Sequence, residues 1–196
     1  SPTPYWKLQT GPELKTESEI SLSLQLHTHL SNSVEKALIS DVPVGVFLSG
    51  GIDSSLVAAL ASKKTRQELQ TFSIGFNNKH FDESRYAQEV AEHLGTRHVT
   101  EILSEDKLLS LLPGALNSID EPLADPSILP TFAVSQLAAQ HVKVVLGGDG
   151  GDELWAGYPT YLAHSYARLY EKIPASIREN IIEPMLVYPP NPFPGK

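Results

Sequence analysis

Cysteine is absent from this 196-residue chain. Disulfides, thiolate catalysis and cysteine-based zinc sites are therefore excluded. Long apolar runs are absent too; none approaches the roughly 20 residues needed to span a bilayer. The first residues, Ser1-Pro2-Thr3-Pro4-Tyr5-Trp6-Lys7, lack a signal peptide's apolar segment. A cytoplasmic protein without a membrane partner is the expectation. Basic clusters are missing, and the net charge is −8. That balance lacks the electrostatic footprint of a nucleic-acid binder. The seven histidines, at 27, 29, 80, 93, 98, 141 and 164, share no ligand spacing. Neither a Gly-x-x-x-x-Gly-Lys-Ser/Thr loop nor a dinucleotide-binding glycine fingerprint occurs.

What is present is an ordinary globular composition, with 41% apolar and 19% charged residues. The length suits one domain. Residues 1–16 hold three prolines and no period, and read as a linker or extended arm. A helical pattern begins at Glu17, with Leu22, Leu26, Leu30, Val34 and Leu38 on one stripe. Val42 to Leu48 is a short β-branched run that suits a buried strand, with Pro43 at its start. The next helix is expected to turn Leu56, Val57, Leu60 and Ala61 to one side. Thr71–Phe76 reads as a second strand. Asp82 is the expected N-cap of a helix striped by Tyr86, Val90 and Leu94 and ended by Gly95. Arg97–Leu103 is a third strand. A short helix over Leu108–Leu112 is expected to break at Pro113-Gly114, and Pro130 to open another at its first position. That helix has Val134, Leu137 and Ala138 as its apolar face. Val142–Leu146 is a fourth strand. The alternation predicts an α/β fold, an open parallel sheet with helices on both faces.

Two strands run into glycine-rich loops, and in open parallel sheets ligands sit beyond the carboxyl ends of the strands. The first loop is Ser49-Gly50-Gly51-Ile52-Asp53-Ser54-Ser55. Its glycines allow positive φ and close approach. The following helix N-terminus adds a positive dipole end, which makes a nest for phosphate. The hydroxyls of Ser49, Ser54 and Ser55 can supplement the amides. Asp53 would repel a phosphate unless it holds Mg²⁺, which joins carboxylates to phosphates. The second loop, Gly147-Gly148-Asp149-Gly150-Gly151-Asp152-Glu153, packs four glycines and three acids into seven residues. That density of negative charge points to a cation. Trp155 and Tyr158 after it read as core or pocket wall. Asp120 to Ser127, with Pro122 and Pro126, reads either as a stiff connection or as acids facing the site.

Leu48-Ser49-Gly50-Gly51-Ile52-Asp53-Ser54-Ser55 resembles the PP-loop of N-type ATP pyrophosphatases. Ser40 to Gly45 and Leu146 to Glu153 resemble the glutamine-dependent asparagine synthetases within that superfamily. The resemblance covers roughly residues 30 to 170. It implies an adenine nucleotide alpha hydrolase-like, Rossmann-like fold, with ATP and Mg²⁺ as cofactors. It implies that Phe47, Leu48, Ser49, Gly50, Gly51, Asp53, Ser54, Ile74, Gly147 and Gly148 bind ATP or pyrophosphate. Phe47 and Ile74 map to the adenine pocket. Asp53 and Asp152 map to Mg²⁺ ligands. Asp149 stands where asparagine synthetases often carry a Glu thought to take a proton during ammonia attack.

The implied reaction has two steps. A carboxylate, aspartate first among candidates, attacks the α-phosphate of ATP to give an acyl-adenylate and pyrophosphate; ammonia then displaces AMP. Ammonia comes from a glutaminase domain that this chain does not contain. The Thr and Arg of bacterial asparagine-forming enzymes are missing around Asp120–Ser127, and the family's downstream catalytic Lys is missing as well. The chain is thus expected to be a piece: an arm (1–16), a synthetase domain (17–173) and a proline-rich tail (174–196). Alone, it is expected to bind ATP–Mg²⁺ weakly and turn over poorly or not at all. The alternatives are a β-lactam synthetase-like enzyme, an amidotransferase for a sugar acid or peptide carboxylate, and a non-catalytic nucleotide-binding module.

Overall fold

A computed structural model describes residues 3–7, 17–65, 67–79, 81–121 and 123–184. Most of the expected arm, the end of the proline-rich tail, His80 and Pro122 lie outside the described residues. The chain divides into two compact units, residues 1–148 and 149–196.

The first unit alternates helices and strands: α1 (Glu19–Ala37), β1 (Val44–Phe47), α2 (Ile52–Lys64), β2 (Gln70–Phe76), α3 (Ser84–Leu94), β3 (Arg97–Leu103), α4 (Glu105–Asn117), α5 (Ile128–Ala139) and β4 (Val144–Leu146). The four strands form one parallel sheet in the order β3-β2-β1-β4. The chain builds outward from β1 to β2 and β3, then returns to add β4 on the other side of β1. The strand order therefore reverses between β1 and β4, which is where an open parallel sheet leaves a crevice.

Both faces of the sheet are covered, as the strand–helix alternation predicted. Val46 and Leu48 point to one side, into a core with Val34 of α1, Ala58, Leu60 and Ala61 of α2, and Ala87 and Ala91 of α3. Phe72 points to the other side, with Leu137 and Ala138 of α5 and Val142; Phe47 packs against that second cluster. This split follows from the two-residue period of a strand.

Several local expectations are corrected. Helix α1 starts at Glu19, because the Ser18 hydroxyl caps it by accepting the Ser21 amide at 3.2 Å. Strand β1 starts at Val44, one residue after Pro43, which has no N–H to enter a ladder. On α2 the buried positions are Ser54, Ala58, Leu60 and Ala61, while Leu56 is exposed. On α3 they are Ala87 and Ala91; Tyr86 is exposed, and Val90 and Leu94 are half-buried. Small residues take these faces because the helices approach the sheet and each other closely. Gly95 closes α3 with φ +66°, as expected of a left-handed cap.

Asp82 is not the N-cap. Glu83 holds that position without a side-chain cap, and Asp82 instead accepts the amides of Ser84 and Phe76, each at 3.2 Å. Helix α4 does not break at Pro113 but runs through it to Asn117. The Leu109 carbonyl, left without the amide of Pro113, sits on an exposed residue where water can replace it. Packing against α5 holds the continuation: a Cβ at Gly114 would lie 3.1 Å from the Phe132 ring. Pro130 occupies the third position of α5 rather than the first, still within the turn whose amides have no helical partner.

The second unit carries α6 (Gly151–Trp155), α7 (Pro159–Tyr170), a short turn α8 (Ala175–Ile177) and a π-helical turn over Arg178–Ile182. None of its described residues is buried. Trp155 and Tyr158 are exposed and form no core among the described residues. Among the described residues no helix is long and apolar enough to cross a membrane.

Candidate functional site

Strand β1 ends at Phe47, and Leu48 still donates its amide to the Phe72 carbonyl at 2.9 Å. The chain then turns through Ser49-Gly50-Gly51 into α2. Gly50 has φ +83°, and a Cβ there would lie 2.5 Å from Tyr86 Cβ and 2.6 Å from the Ala87 nitrogen. The turn thus needs glycine twice over, for its backbone angle and for the helix packed on it.

The loop braces itself. The Ser49 and Ser54 hydroxyls bond one another at 2.9 Å; Ser54 Oγ also accepts the Ser49 amide at 3.2 Å, and Ser49 Oγ accepts the Gly51 amide at 3.2 Å. Ser55 Oγ is buried, with no hydrogen-bond partner among the described residues. The hydroxyls therefore shape the loop. The N-cap Gly51 offers no side chain to the first turn of α2. The amides of Ile52, Asp53 and Ser54 have no partner within the helix and are its donors toward a ligand, while the Ser55 amide bonds to the Gly51 carbonyl at 3.0 Å. Asp53 stands in this turn, half-buried.

Gly147 and Gly148 follow β4, which pairs directly with β1. A Cβ at Gly148 would lie 2.8 Å from the Ser54 nitrogen and 3.2 Å from Asp53 Cβ. The backbone after β4 is therefore in contact with the first turn of α2. Two loops almost a hundred residues apart in sequence meet at the strand-order reversal.

Beside them lies a cavity of about 210 Å³. Phe47, Ile74 and the residues just after β1, Leu48 and Ser49, line it from the sheet side, Glu83, Ser84 and Ala87 from the capped start of α3, and Pro130, Thr131 and Val134 from α5. Its volume is below the roughly 300–1,000 Å³ of whole-ligand pockets. A planar, mainly apolar group fits it, with the remainder of a ligand running out over the glycine loop. The sequence reading contained the wall from the strand ends. The helix walls, and Phe76 and Phe81 that also line the cavity, are not legible in the sequence, because nothing local marks which helices flank β2.

The acidic loop of the second unit forms a compact turn. Gly150 has φ +87° and caps α6; Ala156 closes it with φ +56°. A Cβ at Gly157 would lie 3.2 Å from Asp152 Cα, so the chain doubles back over Asp152, which is half-buried. Tyr158 donates its hydroxyl to Glu153 at 2.8 Å, and that bond holds the phenol above its ordinary range. Asp149 is exposed. In the first unit, Asp125 is exposed too, accepting the Ser127 amide at 2.8 Å in the turn before α5, which holds its carboxyl below the ordinary range. Those contacts belong to a turn before a helix.

Residues 25–188 match the family described as Asparagine synthase. The chain is 36% identical over 185 residues to asparagine synthetase [glutamine-hydrolyzing] 1 of Bacillus subtilis, covering 94% of this chain and 29% of that protein. It is 42% identical over 152 residues to a putative asparagine synthetase [glutamine-hydrolyzing] of Mycobacterium tuberculosis, covering 78% of this chain and 23% of that one. The chain thus spans less than a third of the length of these relatives. Among solved structures it is similar to an NH3-dependent NAD synthetase from Campylobacter jejuni, at 20% identity and a TM-score of 0.45, covering 69% of this chain and 60% of that one.

Proposed function

The chain belongs to the asparagine synthase family, and on that premise we propose that it is the ATP-binding core of a carbon–nitrogen ligase that forms amides. The observation that carries this reading is the contact of Gly148 with the first turn of α2, beside a mainly apolar cavity at the strand-order reversal. A planar base can enter the cavity between α3 and α5. The polyphosphate can then lie on the amides that begin α2, close to the backbone of Gly147 and Gly148.

In this reading a carboxylate attacks the α-phosphorus of ATP. The bond to the β-phosphate breaks, pyrophosphate leaves and an acyl-adenylate remains; ammonia then attacks the acyl carbon and AMP leaves. The amides of Gly50 and of the first turn of α2 stabilise the departing pyrophosphate as preorganised donors. Asp53 fits a role as Mg²⁺ ligand: it is a hard oxygen donor in a helix turn that otherwise favours anions, and a divalent cation reconciles it with phosphate. When bound, Mg²⁺ neutralises charge on the phosphates. The family resemblance supports Asp152 as a metal-binding residue and Asp149 as the group that takes a proton from ammonia. Aspartate is the carboxylate that the printed names of the relatives favour. A glutaminase domain would supply the ammonia.

Calorimetry with ATP and Mg²⁺ tests the core of the proposal. Wild type should bind, and Asp53→Ala should lose at least about tenfold in affinity when Mg²⁺ is present, as expected for a lost charge-assisted contact. Absence of binding in wild type would sink the reading. ATP–pyrophosphate exchange in the full-length protein, driven by aspartate and by other carboxylates in turn, identifies the substrate.

A further inference from the structure

Between β2 and α3 the chain makes a connection whose acid is placed with care. Asp82 Oδ1 accepts the amide of Phe76, the last residue of β2, and the amide of Ser84, the first residue of α3. One oxygen thus ties a strand end to a helix start. Gly75 makes room for it: a Cβ there would lie 2.7 Å from Asp82 Oδ1 and 2.8 Å from Ser84 Cβ. Helix α3 has no side-chain cap of its own, so Asp82 is the side chain that fixes its first turn.

That turn touches both parts of the candidate site. Tyr86 and Ala87 lie against Gly50, so tightly that no side chain fits between. Glu83, Ser84 and Ala87 form one wall of the cavity. We propose that Asp82 is a positioning residue for nucleotide binding, holding the start of α3 where it both backs the Ser49–Ser54 loop and closes the cavity. The inference rests on the reading that this cavity and loop take ATP. Hydrogen bonds from Ser84, and from the Phe76 amide, also hold the Asp82 carboxyl below its ordinary range, so the acceptor is ionised near neutral pH. The clamp acts on binding and takes no part in bond making.

The experiment compares wild type with Asp82→Ala, Asp82→Asn and Val34→Ala. Val34 is buried in α1, in the core under the other helices. Two readouts are taken: ATP–Mg²⁺ affinity by calorimetry, and amide hydrogen exchange of the ligand-free chain. Asp82→Ala should weaken ATP about tenfold, the scale of lost hydrogen bonds to a charged group. It should also speed exchange at Ser84–Ala87 by at least about tenfold. Asp82→Asn keeps an acceptor oxygen and should stay within about threefold of wild type in both. Val34→Ala should lower the unfolding midpoint and leave ATP affinity unchanged, which separates positioning from general loss of stability. If wild type binds and Asp82→Ala binds equally well, or if exchange at Ser84–Ala87 does not change, this inference is overturned alone. If wild type binds no nucleotide, the ATP reading falls and the inference falls with it.

Discussion

Gly50 carries two constraints that a substitution cannot meet together. Its φ of +83° disfavours any L side chain, and the backbone of Tyr86 and Ala87 occupies the space of a Cβ. Gly50→Ala should therefore cost at least about 1–2 kcal/mol from the backbone angle alone. A denaturant midpoint measures this, and nucleotide affinity should fall with it, because the loop has to move off α3. Gly148 has a normal backbone angle but no space. Its Cβ would meet the Ser54 amide at 2.8 Å, so Gly148→Ala should push the β4 loop away from α2. The expected outcome is a modest loss of stability and a larger loss of ATP binding, read side by side by thermal unfolding and calorimetry. Neither packing demand can be read from a glycine's neighbours in sequence.

At the scale of elements, β2 and β3 share a polar ladder on the face toward α3. Thr71 Oγ1 is hydrogen-bonded to Thr96 Oγ1 at 2.9 Å and to His98 Nδ1 at 2.9 Å; Ser73 Oγ is hydrogen-bonded to His98 Nε2 at 3.0 Å and to Thr100 Oγ1 at 2.9 Å. Burial holds the His98 pKa below its ordinary 6.5, against a smaller opposing contribution from Thr71. A histidine pKa depressed in the folded state means the unfolded chain binds the proton more readily. The stability that neutral His98 contributes is complete above about 6.5 and is lost as pH falls from there through the folded value. Unfolding midpoints between pH 7.5 and 5 should show this decline, and His98→Gln should flatten it. Helix α4 offers a second test at this scale. A proline inside a helix costs about 3 kcal/mol, offset by roughly 1 kcal/mol of unfolded-chain entropy, so Pro113→Ala should stabilise the chain by about 2 kcal/mol. The sequence suggested a break there because propensity favours one; packing of Gly114 on Phe132 overrides it.

At the scale of the whole molecule, the buried core of the described residues lies entirely in the first unit, ending at Val142. Residues 149–184 contain no buried side chain and keep several large apolar groups, among them Leu154, Leu162, Tyr166 and Leu169, in contact with solvent. Local opening is governed by how much burial resists it. Amides of α7 should accordingly exchange much faster than those of β1 and β2, by at least about a hundredfold in native-state hydrogen exchange. Equal protection in both units would contradict the division.

Local chemistry follows from the sequence alone. The strand–helix alternation, the glycine turn after β1, the helix start that follows it and the acids near both loops are legible there, because turn angles, periodicity and charge are properties of neighbouring residues. The third strand, Arg97–Leu103, was legible to the residue for that reason. Assembly of the sheet sets which strands are neighbours, brings Gly148 to the first turn of α2, and makes α3 and α5 the walls of a cavity over the ends of β1 and β2. It also took Asp82 from the cap role that its position suggested and made it a tie between strand and helix. These outcomes depend on contacts between residues far apart in the chain, whose energies appear only when the sheet has assembled and small side chains let the helices close on it.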